Sequence, residues 1–188
     1  DIIAIADRCE AVGAVMMLDQ AYIEYATTDP IGSLLELPNV VIVRTFSKAL
    51  GGAGLRVGYA IAPEPIAAWL RTVGCPYPVS SLSIALASVI YERRKERDGI
   101  ITQTRANREL LIEGLRAMGI GALESQANFV LARFDDAASV HGRLLDLGIS
   151  VRRFRSGTEI DSYLRITVPA NPSQLTQLID ALGAIGAT

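Results

Sequence analysis

Asn39-Val40-Val41-Ile42-Val43-Arg44-Thr45-Phe46 is the stretch that decides the fold. It is rich in β-branched residues, which suit a pleated, packed surface better than a helix. It is the strongest strand signal in the chain. Upstream, Ala14-Val15-Met16-Met17-Leu18 is a second apolar run, too short for a helix after the stop at Gly13. Downstream, Val57 to Ala62 is a third. A helical pattern over residues 1–11 and a short one over 30–37 flank the first two runs. Alternation of this kind predicts an α/β unit with a mainly parallel sheet.

From Pro63 the pattern turns helical, over 65–73, 80–97 and 99–118, the last two read as two helices or one bent helix. Gly119 and Gly121 end them. Strands are then expected at 128–132, 149–151 and 163–168, and helices at 137–147 and 173–185. This places residues 1–75 in a large α/β domain, 76–118 in connecting long helices and 119–188 in a small αβ domain. There is no internal repeat and no low-complexity segment.

Bulk properties narrow the function classes. Half of the 188 residues are apolar and a fifth are charged, a globular composition. The net charge is -2 and no long basic run exists, so nothing points to nucleic acid or a membrane surface. Apolar runs stop well short of the ~20 residues that a membrane span requires. Cys9 and Cys75 form no C-x-x-C pair and read as reduced cytosolic thiols. His141 stands alone in a polar helical stretch and reads as a surface residue, so no metal is expected. The chain opens inside a helical pattern and without methionine. It reads as the C-terminal portion of something longer.

In open α/β sheets, ligands bind beyond the carboxyl ends of the strands. The first run delivers Asp19, Gln20, Ala21 and Tyr22 there, and the second delivers Ser47 and Lys48. If the two strands are parallel, a carboxylate, a phenol, a hydroxyl and an amine meet on one edge. Each alone has an ordinary explanation: the acid as a turn cap, the lysine as a solvated residue. Their conjunction points to chemistry. The following Gly51-Gly52-Ala53-Gly54 is not a nucleotide loop. In a P-loop the glycines precede the Lys-Ser/Thr, whereas here Ser47-Lys48 comes first, and a strand rather than a helix follows.

Asp19-Gln20-Ala21-Tyr22, Thr45-Phe46-Ser47-Lys48-Ala49 and Ala53-Gly54-Leu55-Arg56-Val57-Gly58-Tyr59 resemble the motif series of the fold-type-I pyridoxal-phosphate aminotransferases. Within that family they are most similar to the histidinol-phosphate branch, whose usual strings are D-E-A-Y and T-x-S-K-A-x-G-x-A-G-L-R-x-G-Y. The segments Ser125 to Val130 and Tyr163 to Val168 fit the same branch, as does the spacing from Val151-Arg152 to Arg165. The resemblance spans nearly the whole chain. It implies an α/β fold comprising the C-terminal part of a large, mainly parallel cofactor domain plus a small αβ C-terminal domain.

The resemblance also implies roles. Lys48 would be the catalytic amine that captures the aldehyde of pyridoxal 5'-phosphate and later moves a proton at the substrate. Asp19 would pair with the pyridinium nitrogen, keeping it protonated so that the ring accepts electrons. Tyr22 would hydrogen-bond the ring oxygen. Ser47 and Arg56 would hold the phosphate, Arg56 lying at the family spacing of eight residues after Lys48. Arg165 would bind the substrate carboxylate and Arg152 the substrate's anionic end. Arg153 and Arg155 read as a solvated face. Asn128 reads equally as a structural hydrogen-bonding residue or a contact.

Arg165 carries a second argument, from the residues alone. It is flanked by Leu164 and Ile166, so in a strand it points to the opposite face. A charge there requires a partner or solvent.

The reaction implied is transamination of L-histidinol phosphate with 2-oxoglutarate to imidazole acetol phosphate and L-glutamate, a step of histidine biosynthesis, in a cytoplasmic homodimer with shared active sites. An aromatic-amino-acid aminotransferase, a phosphothreonine-type decarboxylase on the same scaffold and, outside enzymes, the aminotransferase-like effector domain of a transcription regulator remain open. Two positions depart from the family: Gln20 replaces the usual Glu, and Gly52 replaces a bulkier residue. The family's N-P-x-N-P-x-G segment, its Gly/Ser phosphate loop and its substrate tyrosines fall upstream of Asp1.

Overall fold

The structure is a computed structural model that describes residues 2–186. The chain divides between Arg97 and Asp98 into two compact units. Among the described residues no helix is long and apolar enough to cross a membrane.

The first unit is built on a three-stranded sheet of β1 (Met16–Asp19), β2 (Val40–Thr45) and β3 (Gly58–Ile61), in that order. β1 runs parallel to β2, with Met16 opposite Val40 and Asp19 opposite Val43. Helix α1 (Ile2–Ala11) and the single turn α2 (Ile31–Leu34) cover it: Ala6, Met16, Leu34, Val40 and Ile42 form one buried cluster. Val40, Val41 and Ile42 are consecutive and all buried, which is why the run does not alternate. Asn39 fixes where the strand starts. Its buried amide donates to the carbonyls of Ala6 at 2.8 Å and Ala14 at 3.3 Å.

β3 is antiparallel to β2, with Thr45 opposite Gly58 and Ile42 opposite Ile61. The α/β class holds, but this sheet is mixed where a mainly parallel one was expected. The reason lies in the connection. A parallel return requires a crossover, usually a helix. Residues 46–57 contain only a 3-10 turn, Ala53–Leu55. Helix α3 (Glu64–Val73) follows, then α4 (Ser81–Glu92), whose N-cap Ser80 accepts a hydrogen bond from the Ser83 amide. Ala87 of α4 packs with Phe46 and Leu50 of the loop after β2. The helical pattern expected to reach Arg97 breaks after Glu92 into a 3-10 turn, Arg94–Arg97.

The second unit comprises α5 (Asp98–Ala117), β4 (Gly121–Ala122), β5 (Phe129–Arg133), α6 (Ala137–Asp146), β6 (Arg152–Arg153), β7 (Tyr163–Thr167) and α7 (Pro172–Gly186). Its sheet has the order β4-β5-β7-β6 and is antiparallel throughout. Alternation here is clean. Val130, Ala132, Leu164 and Ile166 are completely buried, in one core with Leu111, Leu115, Leu144, Leu178 and Leu182 of the helices. Phe129, Leu131 and Arg165 take the other face. Two buried polar side chains of α5 tie down the strand ends. Asn107 donates to the carbonyls of Pro169 at 2.7 Å and Ala170 at 3.2 Å, and Arg108 to that of Ala127 at 3.0 Å.

The short strand expected at 149–151 lies instead at Arg152–Arg153. Gly148, at φ +75°, ends α6, and the Ile149 amide turns back to donate to the Leu144 carbonyl at 2.8 Å. This left-handed stop suits glycine, and it commits Ile149 to the helix end before pairing can start. Gly119 ends α5 in the same way, with Ile120 donating to Leu115 at 2.9 Å.

Candidate active site

Because β1 and β2 are parallel neighbours, their carboxyl ends deliver side chains to one edge. Asp19 ends β1, is exposed, and accepts a hydrogen bond from the Ala21 amide at 2.9 Å through Oδ1. That turn leads to Tyr22, which is half-buried and opens the 3-10 turn Ile23–Tyr25. Lys48 lies three residues past β2, exposed, with its Nζ 5.1 Å from the centre of the Tyr22 ring. A cation over an exposed aromatic face contributes about 0.5–1 kcal/mol, enough to orient the amine without sequestering it. The sequence-level expectation that acid, phenol and amine share an edge rests on this parallel pairing, and the geometry brings Lys48 and Tyr22 into contact.

Ser47 and Arg56 belong to the loop between β2 and β3. The Ser47 amide donates to Thr45 Oγ1 at 3.0 Å, and the Gly52 amide to the Phe46 carbonyl at 2.7 Å. A Cβ on Gly52 would lie 3.1 Å from that of Phe46, so a bulkier residue there would push against the loop. The departure at Gly52 therefore has a packing reason. Arg56 is exposed, its Nη1 donates to the Ala53 carbonyl at 3.1 Å, and among the described residues it is the sole non-glycine with positive φ, at 56°. Left-handed backbone at a residue with a side chain costs energy and concentrates at functional positions. Two residues on, a Cβ on Gly58 would stand 2.9 Å from the Arg44 carbonyl oxygen. The Arg-x-Gly spacing is thus a bent loop closing onto a strand pair that admits no side chain.

The second unit presents an arginine pair. Arg152 and Arg165 are direct partners across β6 and β7. Arg165 is half-buried, its guanidinium 5.1 Å from the Phe129 ring, and its Nε is buried with no hydrogen-bond partner. Like charges directly opposite each other destabilise a ladder unless an anion joins them. Arg153 takes the other face and lines a cleft of about 230 Å³ with Asp135, Asp136 and Asp161. Asn128 contributes its backbone, its carbonyl accepting from Val168 at 2.9 Å. Among the described residues no group of three or more His, Cys, Asp or Glu could hold a metal ion.

One cluster at this edge escaped the sequence reading. Buried Gln20 accepts two hydrogen bonds from Arg44, and Arg44 also pairs with Asp29 at 2.6 Å. Glu24, half-buried in the same loop, has its carboxyl pushed up by burial; a backbone hydrogen bond and the Arg44 charge oppose that, and Asp29 adds to it. Nothing in local sequence marks these partners, which lie 15 and 24 residues from Arg44.

The chain belongs to the aminotransferase class I and II family, whose model it matches over residues 1–182. It is 38% identical over 170 residues to the histidinol-phosphate aminotransferase of Thermoanaerobacter sp. (strain X514), an alignment covering 89% of this chain and 47% of that protein. Two solved structures are similar. One is histidinol-phosphate aminotransferase from Sinorhizobium meliloti in complex with pyridoxal-5'-phosphate, with a TM-score of 0.78 and 27% identity over 92% of this chain and 49% of that one. The other is L-threonine-O-3-phosphate decarboxylase from Porphyromonas gingivalis, with a TM-score of 0.84 and 26% identity over 100% of this chain and 59% of that one. The chain spans about half the length of the curated relatives it matches.

Proposed function

We propose that this chain carries the catalytic lysine of a pyridoxal-phosphate-dependent aminotransferase that uses L-histidinol phosphate as amino donor and 2-oxoglutarate as acceptor, giving imidazole acetol phosphate and L-glutamate. The observation that carries the reading is the parallel β1–β2 pair, which sets Asp19, Tyr22 and Lys48 on one edge. The donor set suits the cofactor. Asp19 offers a carboxylate to a ring nitrogen, Tyr22 a phenol to a ring oxygen, and Ser47 and Arg56 a hydroxyl and a guanidinium to a phosphate. The bound cofactor supplies an electron sink for the substrate's α-carbon electrons.

Each residue then has a task. With the cofactor bound, Lys48 would serve as general base and then general acid for the proton on the donor α-carbon. Asp19 keeps the ring nitrogen protonated by its charge. Arg56 clamps the phosphate with a fork that a lysine could not match. Arg165, whose buried Nε has no hydrogen-bond partner, would take the donor's phosphate and, in the other half-reaction, a carboxylate of 2-oxoglutarate, with Arg152 beside it as a second cation. Two adjacent guanidiniums suit a phosphate dianion better than the single carboxylate of an aromatic amino acid. A homodimer in the cytoplasm is the proposed setting; the two free cysteines, Cys9 and Cys75, are compatible with a reducing compartment.

The test uses full-length protein. A visible band should appear with pyridoxal phosphate, become fixed to Lys48 on borohydride treatment, and vanish in Lys48→Ala. A Lys48→Ala protein that keeps the band sinks the assignment. Single-turnover mixing with histidinol phosphate should then convert the cofactor to its pyridoxamine form. The decarboxylase similarity defines the second reading: a phosphorylated amino acid that loses carbon dioxide while the pyridoxamine form never accumulates.

A further inference from the structure

We propose that Arg44 is a positioning residue for this site, locking the turn that carries Asp19 and Tyr22 through Gln20 on one side and Asp29 on the other. The proposal rests on the cofactor reading above and assigns a task to a residue that touches neither cofactor nor substrate.

Arg44 sits near the end of β2, opposite Tyr59 of β3, and its side chain is only 14% exposed. Two of its three nitrogens, Nε and Nη2, are engaged by the loop that follows β1. Nε and Nη2 donate to Gln20 Oε1 at 2.9 and 2.8 Å, and Nη2 also donates to Asp29 Oδ1 and Oδ2 at 2.9 and 2.6 Å. Gln20 is itself held by its backbone, its amide donating to the Val43 carbonyl at 2.8 Å and its carbonyl accepting from Ile23 at 3.2 Å. It stands between Asp19 and the Ala21 amide that holds the Asp19 carboxylate. Asp29, at the far end of the loop, also accepts from the Ile31 amide at 3.1 Å, where α2 starts.

One guanidinium therefore closes the loop at both ends, and the residues enclosed include Tyr22, whose ring lies under Lys48. The planar fork is what makes this possible. An ammonium keeps the charge but cannot address Gln20 and Asp29 in fixed directions. The charged groups facing Arg44 are Asp29 and Glu24. Glu24 lies inside the enclosed loop, so the same cation that ties the loop also offsets the charge buried in it.

The experiment compares full-length wild type, Arg44→Lys, Asp29→Asn and Tyr22→Phe, each titrated with pyridoxal phosphate and scanned over pH. Arg44→Lys should weaken cofactor affinity by roughly tenfold, the low end of what loss of an orienting partner costs at ligand-holding metal sites. It should also raise the pH at which the visible band changes, because a phenol donating to the ring oxygen lowers that pH and a loose Tyr22 donates less. In the Tyr22→Phe background, Arg44→Lys should move the band pH no further. Asp29→Asn, which leaves the Gln20 contact in place, should shift the band pH in the same direction by less, and serves if Arg44→Lys does not fold. An Arg44→Lys or Asp29→Asn protein with a lower melting temperature but wild-type band pH and affinity overturns the proposal and leaves the cofactor reading standing. A wild-type protein lacking the Lys48-dependent band overturns both.

Discussion

Replacing Arg56 by glycine should move two quantities independently, because this residue combines a strained backbone with a proposed phosphate contact. At φ 56° and ψ 37° it lies in the left-handed region. There an L side chain costs roughly 1–2 kcal/mol. Glycine avoids that cost but loses about 0.5–1 kcal/mol more conformational entropy on folding. The net relief is about 0.5–1 kcal/mol. Against it stands the exposed hydrogen bond from Nη1 to the Ala53 carbonyl, worth about 0.5 kcal/mol at the low end for such bonds. Arg56→Gly should therefore unfold close to wild type or slightly above it. Arg56→Ala loses the same bond and keeps the strain, so it should lie about 0.5–1 kcal/mol below the glycine variant. Cofactor affinity should fall alike in both, by roughly 2–5 kcal/mol for a lost charge-assisted contact, which is about thirty- to a few-thousand-fold. The assay is urea unfolding of cofactor-free protein, since bound ligand would stabilise by mass action, with a separate cofactor titration. Glycine and alanine variants of equal stability would refute the strain argument. Undiminished affinity in either would remove Arg56 from the phosphate site.

Gly58→Ala should destabilise by about 1–3 kcal/mol, the cost of forcing an extra carbon into packed structure, because its Cβ would stand 2.9 Å from the Arg44 carbonyl oxygen; an unchanged urea midpoint would show that the strands part freely. Arg165→Ala should raise the KM for the amino donor by tens- to thousands-fold, on the scale of roughly 2–5 kcal/mol for a buried charged contact, while the visible cofactor band persists. Unchanged steady-state kinetics would end its proposed role. Glu24 titrates above its ordinary 4.5, chiefly through burial, so its folded form prefers the neutral acid. Its contribution to stability is fully present below the unfolded value and is lost as pH rises through the folded one. Glu24→Gln should accordingly gain stability relative to wild type as pH rises from the acid range toward neutrality, and a pH-independent difference in unfolding free energy would contradict this.

The parts of the fold legible in sequence were those fixed by local pattern. The β-branched run before Lys48 forms β2, and the leucine-rich periodicity from residue 173 onward forms α7. What local pattern could not convey was the direction of pairing and the point at which it starts. An apolar run such as Val57 to Ala62 looks alike in either direction, and only the absence of a crossover helix makes β3 antiparallel. Ile149 and Val151 are apolar because they pack against the helical core beside β6, so composition drew the strand too early. The site divides the same way. Asp19, Tyr22 and Lys48 could be singled out because each lies at the end of a strand or within three residues of it. Arg44 resembled one more strand residue, and the residues it binds are separated from it by the whole β1–β2 connection.

That cluster also explains why a departure next to Asp19 is tolerable. Where the resembling family has glutamate, Gln20 gives Arg44 a neutral oxygen and leaves Asp29 as the carboxylate paired with it. Glu24, half-buried nearby, already resists ionisation. A glutamate at position 20 would put a third acid beside one guanidinium, and the atom replacing Nε2, buried and without a partner, would be an unpaired carboxylate oxygen. Burying an unsatisfied amide costs about 1–3 kcal/mol, and an unpaired charge costs more. The amide is thus the milder occupant of this loop as it is built. The proposed chemistry depends on where residue 20 holds the turn, and the amide holds it through the same oxygen that a carboxylate would use.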